Sequence, residues 1–377
     1  MNNQNQPETL TPTRQDTISD QPLTTWHITY STVDAWKMML KAIESAQESI
    51  YMEQFLLEPD ETGQEFLRLF IKKAKEGVTV KLIFDSMYSK NLARSPLIEE
   101  LRRAGAKVKF FNWLLPFSKH NKKILFFRNH RRLLLIDRET MITGGICIRK
   151  KMEPWRETCI RIQGNVVNQA IYVFDKTWKK VYRQHSMRLG TQTKTGPDGF
   201  SYITHAPLIK ERHVYYRMID AIRHARKTIY ITTPYFLPDR RLQRVLILAK
   251  KRGVDVRLLV PKNSNHPIVD IGSHTYFHKM LVKGIKIFQY ETMIHAKTAT
   301  IDGEWAMLGT MNLDNISLRY NFESSLIITN RTCVAELEEQ YAKDLRLSKE
   351  LTLDAWNNRP LLQRFKELLV WPVRKVL

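Results

Sequence analysis

The 377-residue chain carries 60 lysines and arginines against 38 aspartates and glutamates, a formal charge of +22, which favours a polyanionic partner, either nucleic acid or an anionic membrane surface. Its three cysteines, Cys147, Cys159 and Cys333, make no CxxC pair; this excludes a disulfide scaffold and a zinc ribbon and fits a reducing, cytoplasmic compartment. Hydrophobic residues make up 43%, core enough for two domains, but no apolar run reaches the roughly 18 residues of a transmembrane helix, so none is expected.

Residues 1–25 are rich in Asn, Gln, Thr and Pro and lack the basic-then-apolar order of a signal peptide, so they read as a disordered tail. A helix is expected over Thr32–Glu48, starting at Ser31 or Thr32 with Asp34 in its first turn and Trp36, Met39, Leu40 and Ile43 at helical spacing. A strand over 49–55, a helix over Phe66–Lys75, a strand over 78–85, a helix over Leu97–Ala104 and a strand at Lys107–Phe111 follow. Strands alternating with helices predict an α/β domain with a mixed or parallel sheet. Residues 112–123 then form an apolar knob, with Trp113 and Phe117, followed by a basic cluster. This is either an ordinary loop packed on the core or a flap that dips into a lipid interface.

Next comes His130-Arg131-Arg132, with Asp137 and then Gly144-Gly145-Ile146-Cys147, and Trp155-Arg156-Glu157-Thr158 beyond. Residues 187–199 have linker composition. The boundary is placed near 195, giving an N-terminal domain over 26–195 and a C-terminal one over 196–377. The second half restates the first: Thr228-Ile229-Tyr230 stands beside Ser49-Ile50-Tyr51, and Phe236–Asp239 beside Leu57–Asp60, both displaced by 179 residues (228 − 49 and 239 − 60). The chain is an internal duplication. Its second motif is His295-Ala296-Lys297 with Asp302, then Gly309-Thr310-Met311-Asn312 and Asn321-Phe322-Glu323.

The stretch from Met293 to Asp302 reads as a strand, a tight turn at Asp302-Gly303 and a second strand. Residues two apart on a strand share a face, so His295 and Lys297 would point into one pocket. A single His beside a cation is usually surface decoration. Here both copies have His, one residue, a cation, four residues, Asp, and a glycine seven beyond. The chemistry that wants such a pair is displacement at a phosphodiester: an imidazole attacks phosphorus while a cation and an amide stabilise the non-bridging oxygens, with no cofactor or metal required. Two motifs in a duplicated chain imply pseudo-twofold symmetry, with one histidine attacking and the other protonating the leaving oxygen. Each imidazole needs an orienting acceptor. Glu323 lies 28 residues after His295 and Glu157 lies 27 after His130, which nominates that pair. Asp137 and Asp302 read as holding the turn after each motif. After a helix over 333–346, Leu361, Leu362, Phe365, Leu368 and Leu369 form one helical face with Arg364, Lys366, Arg374 and Lys375 around it. Such a stripe is more commonly core, but a basic amphipathic tail would also lie on an anionic bilayer.

These residues resemble the phospholipase D superfamily, whose mark is a duplicated His-x-Lys-x4-Asp motif, and more narrowly the bacterial cardiolipin synthases, over about residues 30 to 375. The narrower likeness rests on Asn129–Arg132, Thr143–Gly145, Trp155–Thr158, Thr233–Phe236, Gly309–Asp314 and Asn321–Glu323. The resemblance implies two phospholipase D-like α/β domains with mixed sheets flanked by helices. It implies His130, Arg132, Asp137, His295, Lys297 and Asp302 as motif residues, with Asn312, Glu323, Glu157, Gly145, Thr310 and Cys147 around the phosphate. The activity implied is phosphatidyl transfer through a phosphohistidine, with phosphatidylglycerol as donor and acceptor, by a protein peripheral on the cell membrane. Phosphodiester hydrolysis in lipid or nucleic acid, or lipid binding without turnover, are the alternatives. This chain departs from the pattern at Arg132, where Lys is usual, at Cys147, where Asn is expected, and at Ile316, where Arg is common. Arg keeps the charge but is not equivalent to Lys.

Overall fold

The computed structural model describes residues 24–112, 127–181 and 189–374. The polar tail up to residue 23, the Trp113–Lys123 segment and Lys375 therefore lie outside the described residues.

The first half runs β1 (Thr25–Ser31), α1 (Thr32–Ser45), β2 (Ser49–Gln54), α2 (Glu61–Lys75), β3 (Thr79–Asp85), α3 (Lys90–Ala93), α4 (Pro96–Arg103), β4 (Lys107–Phe111), β5 (Arg132–Ile136), β6 (Thr140–Gly144), β7 (Arg156–Gln163) and α5 (Val166–Lys180). The second runs β8 (Phe200–His205), α6 (His213–His224), β9 (Thr228–Thr232), α7 (Arg240–Lys251), β10 (Asp255–Pro261), α8 (Pro267–Val282), β11 (Lys286–Tyr290), β12 (Thr298–Ile301) and β13 (Trp305–Gly309). It closes with α9 (Asn315–Arg319), β14 (Glu323–Ile328), α10 (Arg331–Arg346), β15 (Ser348–Glu350), α11 (Leu353–Asn357) and α12 (Leu361–Val370).

The strand orders are β1-β7-β6-β5-β2-β3-β4 and β15-β11-β10-β9-β12-β13-β14-β8. Read in reverse, the second repeats the first and adds β15 at the edge of β11. In each sheet three parallel strands joined through helices meet an antiparallel hairpin, because only parallel neighbours need a crossover. Local chemistry repeats too. Asp60 caps α2 by accepting from the Gly63 amide, and Asp239 caps α7 by accepting from Leu242.

The two hairpins turn through residues of positive φ: Asp137 at 50° and Arg138 at 59°, Asp302 at 57° and Gly303 at 68°. Such turns match the right-handed twist of the strands they join. The Asp137 carboxylate accepts from the amides of Gln47, Glu48 and Ser49 at 2.8 to 2.9 Å. Asp302 does the same for Arg226, Lys227 and Thr228 at 2.7 to 2.8 Å. Each aspartate thus pins the hairpin to the loop entering the parallel strand beside it, β2 or β9.

Each sheet covers one face with its own helices and a private apolar core. The other faces meet in a joint core, where Leu133, Leu135 and Phe174 pack with Ala306, Leu308 and Leu326, and α5 and α10 supply Ile171 and Leu337. A continuous core across the two sheets brings the ends of β5 and β12 toward one another.

Candidate active site

The motif histidines lie before the hairpins rather than within them. The strand expected from Met293 to Asp302 begins only at Thr298, and β5 begins at Arg132, two residues past His130. The reason is where the backbone hydrogen bonds go. Asn129 bridges in parallel to Phe322, with His130 N donating to Phe322 O at 2.9 Å and Phe322 N to Arg128 O at 2.9 Å. In the other copy Ile294 bridges to Arg156, with His295 N donating to Arg156 O at 2.8 Å and Arg156 N to Met293 O at 3.0 Å. Each histidine segment is stitched to the strand start of the opposite half, where that half's glutamate stands next in sequence.

The glutamates therefore orient the histidines crosswise. His130 Nδ1 lies 2.9 and 2.8 Å from the two carboxylate oxygens of Glu323, and His295 Nδ1 lies 2.6 Å from Glu157 Oε2. The sequence nominated both acceptors from their spacing within one half; the structure exchanges their partners. All four groups are buried. Aromatic rings wall the imidazoles, Phe55 edge-on to His130 at 4.5 Å, and Trp155 and Tyr235 at 5.1 and 6.5 Å from His295.

The cations follow their histidines. Lys297 Nζ donates to the His295 carbonyl. Arg132 donates through Nη1 to the His130 carbonyl at 2.8 Å and through Nε to Cys147 Sγ at 3.2 Å, and its Nη2 lies 3.0 Å from His130 Nε2. A guanidinium can only donate. His130 Nε2 is therefore the acceptor, and its ring proton sits on Nδ1 facing Glu323.

The glycine-rich segments differ in a way that shapes the carboxylates. A Cβ on Gly145 would stand 2.6 and 2.8 Å from the oxygens of Glu157, so only glycine leaves that carboxylate its place. The equivalent Thr310 instead donates its hydroxyl to Glu323 Oε2 at 2.5 Å, and Asn321 Nδ2 donates to Oε1 at 3.2 Å. Asn312 is buried with its Oδ1 unsatisfied among the described residues, and Cys147 fills the equivalent place with a buried thiol. A buried acceptor left without a donor is a place that a bound hydroxyl would complete.

Electrostatics separate the two halves. Burial first, then Lys297, drives His295 down to about 3, against the pull of Glu157. Burial and then Arg132 and Lys297 hold His130 well below its ordinary value. Burial brings Lys297 down to about 7 despite Glu157. Burial works against ionised Glu157, but Lys297 and His295 overcome it and hold that carboxyl below the usual range. Glu323 is pushed by burial up to about 8, its hydrogen bond from Thr310 and the charge of Arg132 compensating only in part. Both imidazoles are therefore neutral, and the Nε2 lone pair of His130 is taken by Arg132.

The structure thus brings together His130, Arg132, Cys147, Gly145 and Glu157 with His295, Lys297, Thr310, Asn312 and Glu323, and places Asp137 and Asp302 at the hairpin turns. Arg156 makes a bidentate pair with Asp344 at 2.6 and 3.0 Å, a structural tie between the halves. Sequence reasoning missed Arg131. It is fully buried and donates to Glu323 O, Thr177 Oγ1 and Leu189 O at 2.9 to 3.3 Å, so it braces the strand that carries Glu323. It also missed Asn129, which donates to Glu53 at 2.7 Å and holds the residue before His130. The run Asn129–Arg132, polar where a strand should become apolar, was the available signal.

A protein-family profile described as "Cardiolipin synthase, PLD-like domain" matches residues 39–178 and again 218–345. A cardiolipin synthase of Clostridium perfringens (strain SM101) is 32% identical over 353 residues, which cover 88% of this chain and 72% of the relative. The major cardiolipin synthase ClsA of Bacillus subtilis is 32% identical over 349 residues, 89% of this chain and 71% of its own length. In fold, the phosphatidylserine synthase of Haemophilus influenzae superposes with a TM-score of 0.75 at 14% identity, covering 93% of this chain and 95% of that one.

Proposed function

This chain belongs to the cardiolipin synthase family with phospholipase D-like domains, and we propose that it is a phosphatidyltransferase that joins two phosphatidylglycerols into cardiolipin and glycerol while peripheral on the cell membrane. The observation that carries this reading is the crossed arrangement of two neutral histidines, each held by a glutamate of the other half, with one cation beside each.

His295 is assigned as the nucleophile. Its Nδ1 proton is held by an ionised Glu157, which stabilises the positive imidazole once phosphorus is bound, whereas the Nε2 lone pair of His130 is engaged by Arg132. In the first step Arg132 turns to the bound phosphate and the freed Nε2 of His130 takes up a proton from solvent; His295 Nε2 attacks phosphorus, the bond from phosphorus to the glycerol oxygen breaks, and the departing oxygen takes that proton from His130. In the second, the hydroxyl of another phosphatidylglycerol gives its proton to His130 and attacks phosphorus, and the bond to His295 breaks. Lys297, Arg132 and the amide of Asn312 would stabilise charge on the non-bridging oxygens. Arg132 must turn from His130 to the phosphate for this. That movement frees Nε2 of His130.

The test is incubation of the purified full chain with labelled phosphatidylglycerol vesicles, with and without chelator, beside His295→Ala and His130→Ala. Cardiolipin made regardless of chelator, abolished by His295→Ala, supports the reading. Oligonucleotide cleavage alone, or turnover surviving in His295→Ala, overturns it. With a phosphatidyl ester of an activated phenol, whose leaving group needs no proton, His130→Ala should still form the covalent intermediate and His295→Ala should not.

A further inference from the structure

The helix α12 is mounted inside out. Its polar positions Gln363 and Glu367 face the body of the protein, where Glu367 pairs with Arg359 at 2.7 and 3.0 Å and Gln363 meets His274 at 3.3 Å. Glu367 is 7% exposed, whereas Leu361 is 77% and Leu368 69% exposed, and Leu362, Phe365 and Leu369 stand with them. An amphipathic helix ordinarily buries its apolar stripe. Here the stripe faces outward as one continuous patch, and such a patch marks an interaction surface.

Two features identify what covers it. The only acidic residue of α12 is the inward Glu367, while Arg364 and Lys366 are exposed along the helix. A second copy of the chain would press the same cations against each other. An anionic lipid surface would neutralise them while taking up the leucines and phenylalanine. The chain just past the helix also touches the segment that follows Asn312. Asn315, three residues after Asn312, donates through Nδ2 to the Arg374 carbonyl at 3.4 Å, and the next residue, Ile316, is an exposed apolar side chain at the start of α9. Arg374 is in turn fixed over Trp371 at 4.9 Å and Tyr276 at 4.7 Å.

We propose that α12 docks on an anionic bilayer through its outward apolar face and, through Arg374 and Asn315, sets the segment carrying Asn312 against the membrane that supplies the substrate. The choice of a lipid occupant rests on the phosphatidyltransferase reading of the site; the outward face does not.

Sedimentation of the full chain with vesicles tests this without turnover. Wild-type protein is expected to pellet with mixed phosphatidylglycerol and phosphatidylcholine vesicles and weakly with phosphatidylcholine alone. The triple change Leu362→Ser, Phe365→Ser and Leu369→Ser should weaken partition roughly tenfold or more, with an unchanged thermal midpoint. Arg364→Glu with Lys366→Glu, which keeps the apolar face, should weaken it at low salt only and serves equally if the serine variant does not fold. Undiminished pelleting of both variants overturns the proposal. So does a wild-type dimer that the serine changes dissociate while vesicle binding persists. His295→Ala should pellet like wild type, so a protein that binds vesicles but makes no cardiolipin refutes the reading of the site and not the docking surface.

Discussion

Glu323 belongs to the second repeat yet holds His130 of the first, its two oxygens 2.9 and 2.8 Å from Nδ1. Its counterpart Glu157 returns the relation to His295 at 2.6 Å. Neither half contains a complete histidine–glutamate pair, so the two halves must meet before either imidazole is oriented. The crossing follows from the backbone bridges Asn129–Phe322 and Arg156–Ile294, each one residue before a glutamate and a histidine it serves.

The two glutamates should not respond alike to amide substitution. Glu157 is ionised, so Glu157→Gln replaces an acceptor with a group that also donates and lets the wrong His295 tautomer form; a loss in kcat of about 10²–10⁴-fold is expected. Burial lifts Glu323 to about 8. At neutral pH it is already largely protonated, and Glu323→Gln should cost only about tenfold or less. Steady-state kcat on phosphatidylglycerol checks the order, and equal losses would contradict the assigned ionisation.

The alkaline limb of kcat/KM should belong to Lys297. Burial brings it to about 7, so its charge is present below that value and lost above it. Activity should fall as pH rises through about 7, while His295, neutral above about 3, gives no limb between pH 5 and 7. In Lys297→Arg the limb should move beyond the measured range. A pH–rate profile of both proteins decides it.

Cys147 occupies the place equivalent to Asn312 and accepts from Arg132 Nε at 3.2 Å. An asparagine oxygen can accept the same bond and adds an amide donor, so Cys147→Asn should preserve or raise activity. Arg132→Lys alone cannot make the three bonds Arg132 makes and should lose about tenfold. Combined with Cys147→Asn, which restores the composition of the second motif, it should recover part of that loss. Kinetics of the two single variants and the double variant measure the coupling.

Asp137 and Asp302 should prove structural. Each accepts three backbone amides, which hold its carboxyl below the usual range although partial burial opposes this. A depressed carboxyl contributes stability above its unfolded pKa and loses it as pH falls through its folded one. Asp137→Ala and Asp302→Ala should each lower stability by about 1–2 kcal/mol after allowance for solvent screening. The loss should be visible in denaturant melts at neutral pH and shrink toward pH 3, with KM nearly unchanged in the folded protein.

The sequence by itself determined the duplication, the α/β order and the identity of both motif sets. These are local or periodic: strand and helix spacing, a glycine seven residues beyond each motif aspartate, an aspartate at a tight turn. Three matters were decided only by tertiary structure. The glutamates exchange histidines because unpaired backbone groups before each motif find their hydrogen bonds on the other half, and no spacing within one repeat encodes that. Lys297 and Glu323 shift toward neutrality because the joint core buries them, a property of the docked pair of sheets. The apolar stripe of α12 faces outward because Arg359 and His274 offer partners to its polar side, and a helical periodicity is the same whichever side of the helix meets the protein.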